Sequence, residues 1–309
     1  MTDQLDAAYS RCCRLARRAA KNFYYSFIGL PADKYRGMCA LYAYMRVCDD
    51  IGDDESLSVE QRTRDLSCWE DAVRAAFAGK THSCDGVSAE RLAILPAVAD
   101  TVARFSIPQH YFFDVIAGMR MDLDAPTNGA DVALVCRHST FEELERYCYH
   151  VAGVVGLCCI HIWGFAGVDA EQRARDCGLA FQLTNILRDL GADADDGRVY
   201  LPSEDLQRFG CSAATLQQRL RDGSFRQLMQ FEVERAKQYY ASAEKLAASL
   251  SPDGQPILQA MLRIYGGLLT EIERRNYDVY SRRVSLPTWR KVLIAADACF
   301  RQRFRRKAG

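Results

Sequence analysis

The chain has 309 residues, and its 40 lysines and arginines match its 40 aspartates and glutamates, a balance that argues against a nucleic-acid binder, which would carry a basic excess or stripe. Thirteen cysteines, an odd number with no CxxC pair in so long a chain, argue against a secreted disulfide scaffold. Adjacent pairs such as Cys12-Cys13 and Cys158-Cys159 read instead as small apolar core residues in a reducing compartment. The opening stretch MTDQLDAAYSRCCRLARR lacks an apolar signal core, so a cytoplasmic protein is expected. The histidines form no HExxH and no cluster with the cysteines, so no zinc site is expected.

Alternating strand patterns are nearly absent and apolar residues recur at helical spacing almost throughout, which predicts an all-α fold. Pro31 ends a first helix, and a second is predicted over Ala32–Asp54, with Gly52 near its end. Helices follow over Val59–Phe77 and Ala89–Phe105, separated by a gap holding Gly79 and Gly86. Pro108 suits the first turn of a helix reaching Asp122, and 124–139, with Pro126, Asn128 and Gly129, is a loop. Thr140 with Glu143 forms a capping box for a long helix through Phe165. Val151–Val168 is apolar apart from His161, but it is short for a membrane span, holds four glycines, and continues a helix carrying Glu142, Glu143, Glu145 and Arg146. A buried central helix is the reading that fits.

The next helix covers Ala170–Asp193, ends in the polar turn at 194–198, and is followed by the extended Val199-Tyr200-Leu201-Pro202. Helices over Phe225–Leu250, Pro256–Tyr277 and Pro287–Arg303 complete the chain. No linker is long or low in complexity, so one domain is expected over 1–309, with a core of about 15–295 and a basic tail at 301–309. The tail, Arg301-Gln302-Arg303-Phe304-Arg305-Arg306-Lys307, reads as a solvated, frayed terminus or as a weak contact with an anionic membrane surface.

Two acidic stretches carry the chemistry. In YAYMRVCDDIGDD, Asp49 and Asp53 are four apart, as are Asp50 and Asp54, so each pair shares a helical face. Like charges so placed repel, and a cation between them removes the conflict; taken alone, the stretch also reads as a solvated acidic helix end. In FQLTNILRDLGADADDGRVYLP, Asn185, Asp189 and Asp193 fall at i, i+4 and i+8 with Gln182 nearby, while Leu183, Ile186, Leu187 and Leu190 should pack inward. A polar line beside such neighbours is costly to bury unless it serves a ligand. Two acidic faces distant in sequence can oppose each other across a bundle, with Arg46 and Arg188 at hand for phosphate oxygens. Together they point to a magnesium-bound diphosphate.

At this point the chain resembles the squalene/phytoene synthase family of head-to-head prenyl diphosphate synthases. The resemblance runs from about Lys21 to Lys291 and rests on KNFYYSF with Leu30-Pro31, YAYMRVCDDIGDD, YCYHVAGVVG at Tyr147–Gly156, the second acidic stretch, and NYDVYSRR. It implies a single-domain isoprenoid-synthase-type helical bundle with a central apolar cavity. It further implies Mg2+ (with Mn2+ as a substitute) on Asp49, Asp53, Asn185, Asp189 and Asp193. Arg46, Arg188 and Arg282 would contact diphosphate, as would Gln182 and Asn185 near the metal. Tyr42, Tyr147 and Tyr265 would face diphosphates or cationic intermediates, and Tyr25 and Phe27 would flank the substrate. Asp49, Tyr147, Arg188 and Asp189 are the expected catalytic set. Gly52 stands where the family often has alanine, which should not alter ligation.

Gly153 and Gly156 read equally as room for a long apolar ligand and as close helix packing. The expected reaction couples two allylic prenyl diphosphates through a cyclopropylcarbinyl diphosphate. Two geranylgeranyl diphosphates would give phytoene; the alternative is squalene or presqualene diphosphate from two farnesyl diphosphates, with NADPH needed only for squalene. A head-to-tail elongating enzyme would need paired aspartates where Asn185 and Ile186 stand. A non-catalytic assembly factor would have no reason to keep the aspartates and arginines together.

Overall fold

In a computed structural model of the chain, the structure describes residues 2–19, 27, 29–81, 86–123 and 135–308. Helix α1 (Thr2–Ala19) buries Ala8, Tyr9, Cys12 and Ala16, a helical stripe that packs on α2 (Ala32–Gly52) and α5 (Leu95–Arg104). The first helix is described as far as Ala19, and residues 20–26 and 28 before Pro31, where its end was expected, lie outside the described set. Pro31 precedes the first turn of α2, which ends with the Asp53 N–H donating to the Asp49 carbonyl at 2.8 Å. Helix α3 (Val59–Phe77) starts where expected, with Ser58 accepting from the Gln61 N–H.

The helix predicted over Ala89–Phe105 is broken. Helix α4 (Ala89–Leu92) stops and α5 begins anew at Leu95, with Pro96 in its first turn. Proline lacks the N–H that would have bonded Leu92, and its ring excludes that carbonyl, so the pattern of apolar residues continues while the ladder does not. Helix α6 (His110–Leu123) follows, and the loop predicted after it lies outside the described residues over 124–134.

Two residues of strand β1 (Val135–Cys136) pair in parallel with β2 (Arg198–Val199), too short a ladder for alternation to announce. Thr140 caps α7 (Phe141–Cys148), its hydroxyl accepting from the Glu143 N–H at 3.3 Å. The return bond is displaced by one residue, the Glu143 carboxylate accepting from the Ser139 N–H at 2.6 Å. The expected long helix then passes through a π turn at Tyr149–Gly153 into α8 (Val154–Trp163). Its apolar run is largely buried as far as Trp163, where the helix ends short of the expected Phe165, and Val168 beyond it is exposed; among the described residues no helix is long and apolar enough to cross a membrane.

Central helix α9 (Ala170–Asp195) lies against the π turn, α8, and α12 (Gly223–Leu246). A Cβ on Gly178 would come within 2.6 Å of Gly153 Cα, so the two backbones touch and Gly178 is not replaceable there, whereas a Cβ on Gly153 would meet the Tyr149 ring at an ordinary 3.4 Å. Two short helices that the apolar pattern did not announce, α10 (Ser203–Arg208) and α11 (Ala213–Gln217), connect β2 to α12. The first is tied down by Arg235, which donates to the buried carboxylates of Asp205 (2.7 Å) and Glu232 (2.9 Å).

After a 3-10 turn come α13 (Gln255–Arg274) and α14 (Thr288–Ala308). Helix α13 ends before Tyr277 because Asn276 and Tyr277 take positive φ of 50° and 61°. The backbone of the basic tail is therefore helical rather than frayed; its side chains beyond Phe300 lie outside the description. One cysteine departs from the expected thiols: Cys68 is disulfide-bonded, whereas the other ten described are free.

Candidate active site

A cavity of about 330 Å3 runs between α2, α6, the π turn, α8, α9 and α13. Its walls are apolar, with Leu41, Met45, Val155, Ile160, Trp163 and Met261 among them, and Asp49, Gln182 and Asn185 supply its polar groups. Tyr42 and Tyr265 also line it, Tyr265 stacked on Phe181 at 4.4 Å. Gly156 lines it too, and a Cβ there would lie 3.0 Å from the Ala174 carbonyl, so this one glycine serves both the cavity and the helix contact.

The first acidic stretch divides by side. Asp49 faces the cavity, and burial, with Asp53 adding repulsion, pushes its carboxyl up to about 6. Asp53, at the helix cap, is also raised by burial, against the pull of Arg198, Arg46 and Arg62. Asp50 instead pairs with Arg46 at 2.5 Å, and Asp54 accepts from the Ser56 N–H at 3.2 Å. Among the described residues, Asp50 alone of the four thus has a close ion pair, and Asp49 and Asp53 are the two that burial raises. A Cβ on Gly52 beside them would lie 3.5 Å from Met119 Sδ, an ordinary contact that alanine would make without strain.

On α9, Leu183, Ile186, Leu187 and Leu190 are buried as expected, leaving a polar line from Gln182 to Asp193. Asn185 donates to the Gln182 side-chain oxygen at 3.3 Å. Asp189 is gripped from two directions: Arg188 Nε donates at 2.9 Å, and Arg283 donates through Nε and Nη2 at 2.9 and 3.0 Å. Burial pushes this carboxyl up, but the two guanidiniums hold it below its ordinary value. Asp193 has no such grip, and burial together with Asp189 pushes it up to about 6.

The second arginine at Asp189 is thus Arg283, while its neighbour Arg282, expected at a diphosphate, does not touch that carboxylate. Arg282 is exposed, lining a groove beside α13 and α14. NYDVYSRR contains both residues, and only the backbone path after Tyr277 selects between them. Arg198 was also not singled out by spacing, yet from β2 its charge pulls down both Asp53 and Asp193 against the upward push of burial.

Tyr147 does not line the cavity. Its hydroxyl donates to Asp122 at 3.1 Å, and its ring stacks on Tyr200 at 5.3 Å. Asp122 also accepts from the Tyr200 hydroxyl at 3.3 Å and lies 3.6 Å from Arg137. Burial raises Asp122 against the pull of Arg137, and burial raises Tyr147 well above an ordinary phenol. His138 packs on both tyrosine rings, and burial pushes it down to about 4. A lone acid at a helix end has no sequence signature, so Asp122 stood only as a helix boundary. Phe27 is fully buried and not among the cavity-lining residues, and Tyr25 lies outside the described residues.

Among the described residues no three acidic, histidine or cysteine side chains converge closely enough to hold an ion alone. The donors at the cavity mouth are hard carboxylate and amide oxygens, which suit Mg2+ when phosphate oxygens complete the shell. Asp49 and Asp193 are raised first by burial and then by the neighbouring carboxylates Asp53 and Asp189.

An all-α bundle enclosing an apolar cavity, with carboxylates, amides and guanidiniums at one end, has the architecture of an isoprenoid synthase. The chain belongs to the squalene/phytoene synthase family, whose pattern matches residues 16–290. It is a prenyltransferase of the type that joins two prenyl diphosphates head to head. It is 36% identical over 310 residues to a 15-cis-phytoene synthase of Synechococcus elongatus, covering 96% of this chain and 94% of that one. The fold superposes on a crystal structure of a dehydrosqualene synthase with a TM-score of 0.77 at 26% identity, covering 96% of each chain. It superposes equally, at 0.77 and 25% identity, on the squalene synthase HpnC from Alicyclobacillus acidocaldarius, over 88% of this chain and 95% of that one.

Proposed function

We propose that the chain condenses two geranylgeranyl diphosphates to phytoene. The observation that carries the choice is the similarity to phytoene synthase along nearly the whole chain, at higher identity than to the solved squalene-type enzymes. Asp49 and Asp53 on one face, with Asn185, Asp189 and Asp193 on the other, would hold Mg2+, which when bound neutralises the diphosphate and stabilises the departing pyrophosphate.

The chain's own residues account for the rest. Arg188 and Arg283 hold Asp189 while no diphosphate is present, and their planar forks match phosphate oxygens as well as carboxylate. Loss of pyrophosphate breaks the allylic C1–O bond of one substrate and leaves a cation in a cavity whose walls exclude water. That cation bonds to the C2=C3 double bond of the second substrate, and loss of a proton closes the cyclopropane. Loss of the second pyrophosphate, rearrangement to the 1-1′ bond and loss of a second proton give the hydrocarbon. Tyr42 and Tyr265 line this cavity, and an aromatic ring face attracts a cation.

Incubation with Mg2+ and either geranylgeranyl or farnesyl diphosphate, each with and without NADPH, tests the reading by product analysis. Phytoene from the C20 substrate without NADPH is expected. Turnover confined to the C15 substrate would reject the phytoene assignment and leave the squalene-type alternative.

Tyr147 sits off the cavity, so its part in the reaction would be exerted through the Asp122 network at the edge of the acidic faces. Tyr147→Phe is expected to lower kcat by about 100-fold, the low end of acid–base contributions. Asp122→Asn should reproduce most of that loss, because an amide oxygen cannot replace a carboxylate that accepts from two phenols and faces Arg137. Steady-state kinetics of both variants, each with an unchanged circular dichroism spectrum, would decide; full activity in either removes the network from the mechanism.

A further inference from the structure

Helix α1 presents its two adjacent cysteines to different surroundings. Cys12 is fully buried in the stripe that packs on α2 and α5, and burial pushes its thiol up to about 12. Cys13, turned about 100° further round the helix, is half-buried and lines a cleft of about 480 Å3 between α1 and the start of α2. Tyr35 and the guanidiniums of Arg14, Arg17 and Arg36 line the same cleft. Arg36 is fixed there, paired with Asp6 and lying over the Tyr9 ring at 4.4 Å. Packing as a small apolar residue accounts for Cys12. It does not account for a thiol that faces a cleft of guanidiniums.

Behind Cys13, and not among the residues that line the cleft, is the fully buried Cys39 of α2. The two thiols are hydrogen-bonded, with Cys39 donating to the Cys13 sulfur, and the Tyr35 hydroxyl hydrogen-bonds to each. The bond from Cys39, with Tyr35, Arg36 and Arg17 adding to it, holds the Cys13 thiol down at about 7 against burial. Cys39 is raised instead, first by that same bond and then by burial. The pair therefore has an outer sulfur that is accessible and readily anionic, and an inner one that is protonated and touches it. An attacking thiolate with a resolving thiol behind it has this arrangement.

We propose that Cys13 and Cys39 form a reversible disulfide, entered from the cleft by a small disulfide that carries carboxylates. The Cys13 thiolate attacks one sulfur of that reagent, so a mixed disulfide forms and a first thiolate leaves. Cys39 then gives its proton to a departing thiolate, and its sulfur attacks the Cys13 sulfur and expels the second. Two protein thiols are oxidised, and the small disulfide is reduced to two thiols. The guanidiniums of Arg14, Arg17 and Arg36 at the entry suit the carboxylates of the reagent. The new bond ties α1 to α2 and closes residues 14–38 into a loop, just ahead of Leu41, Tyr42 and Met45 on the wall of the catalytic cavity.

The full chain would be incubated with glutathione disulfide near neutral pH, alkylated, digested with trypsin and read by mass spectrometry. A cross-link between peptides 12–14 and 37–46 is expected, reversed by dithiothreitol, and melting should rise by roughly 5 °C when it forms. Cys68, already disulfide-bonded, falls in a separate peptide and does not enter this reading. Cys12→Ser should keep the cross-link and Cys13→Ser should lose it. Cys39→Ala should stop the reaction at one glutathione on Cys13. In the wild type, which needs no substitution, labelling of Cys13 by iodoacetamide should quicken through pH of about 7, where an ordinary thiol needs about 8.5. Arg14→Glu with Arg17→Glu should slow the reaction of glutathione disulfide about tenfold relative to the uncharged bis(2-hydroxyethyl) disulfide. Circular dichroism of each reduced variant checks that the fold is kept. A cross-link that survives Cys13→Ser, a Cys39→Ala protein that takes up no glutathione, labelling of Cys13 only at the pH of an ordinary thiol, or a preference between the two disulfides that the arginine variant leaves unaltered would each overturn the proposal.

Discussion

Asp49→Asn and Asp189→Asn are each expected to lower turnover by about 1,000-fold or more, because in the proposed function each removes a charged oxygen that would hold the leaving diphosphate's counter-ion. Their effects on folding should have opposite signs. Asp49 is pushed up from 3.8 to about 6, so the stability linked to it is complete below 3.8 and lost as pH rises through 6. At pH 7 the ion-free protein therefore holds an unfavourable carboxylate there, and Asp49→Asn should raise its melting temperature. Asp189 is held below its ordinary value by Arg188 and Arg283, so its contribution is present above the unfolded value and lost as pH falls through the folded one. Asp189→Asn should lower melting at pH 7. Added Mg2+ should stabilise the wild type more at pH 7 than at pH 5, since protons compete for Asp49 and Asp193 below about 6. Calorimetry with and without Mg2+ at the two pH values, alongside kinetics, gives all of these readings. An Asp49→Asn protein that turns over normally would remove the first face from the site.

Arg188→Lys and Arg283→Lys should lower kcat by roughly 10- to 1,000-fold with smaller changes in KM, because charge on the departing pyrophosphate peaks in the transition state. Lysine keeps the charge and loses the planar fork through which both arginines now hold Asp189. The larger loss is expected at Arg188, whose side chain is 17% exposed against 71% for Arg283, since a less solvated guanidinium is worth more to the charge it faces. Arg146→Lys is the control: it lies on α7, 64% exposed, with Glu142 as its only close acid among the described residues. Arg282→Lys completes the set, and it should resemble the control. If Arg282→Lys is the damaging change and Arg283→Lys is silent, the chain after Tyr277 must rearrange when substrate binds.

The elements of this fold are local facts, and most were readable from the sequence. Helical periodicity, the Ser58 and Thr140 caps, and the inward faces of Leu183, Ile186, Leu187 and Leu190 depend only on residues a few positions apart. The break at Pro96 was equally local and was overridden by an apolar pattern that runs on across it. The two acidic stretches were legible for the same reason: spacings of four on a helix place carboxylates together whatever the rest of the chain does.

What spacing could not decide is which charges meet across the bundle. Arg283 reaches Asp189 while its neighbour Arg282 lines the groove beside α13 and α14, a parting of adjacent side chains that spacing along the chain does not show. Arg198 acts on both Asp53 and Asp193 from a strand pair of two residues, which spacing along the chain does not announce. Tyr147 finds Asp122, twenty-five positions away, through the packing of α6 on the π turn. The sequence by itself determined the helices, the acidic faces and the family. The tertiary structure alone decided the pairing of carboxylates with guanidiniums, since electrostatic energy depends on distance in space and on burial, and neither is a function of separation along the chain.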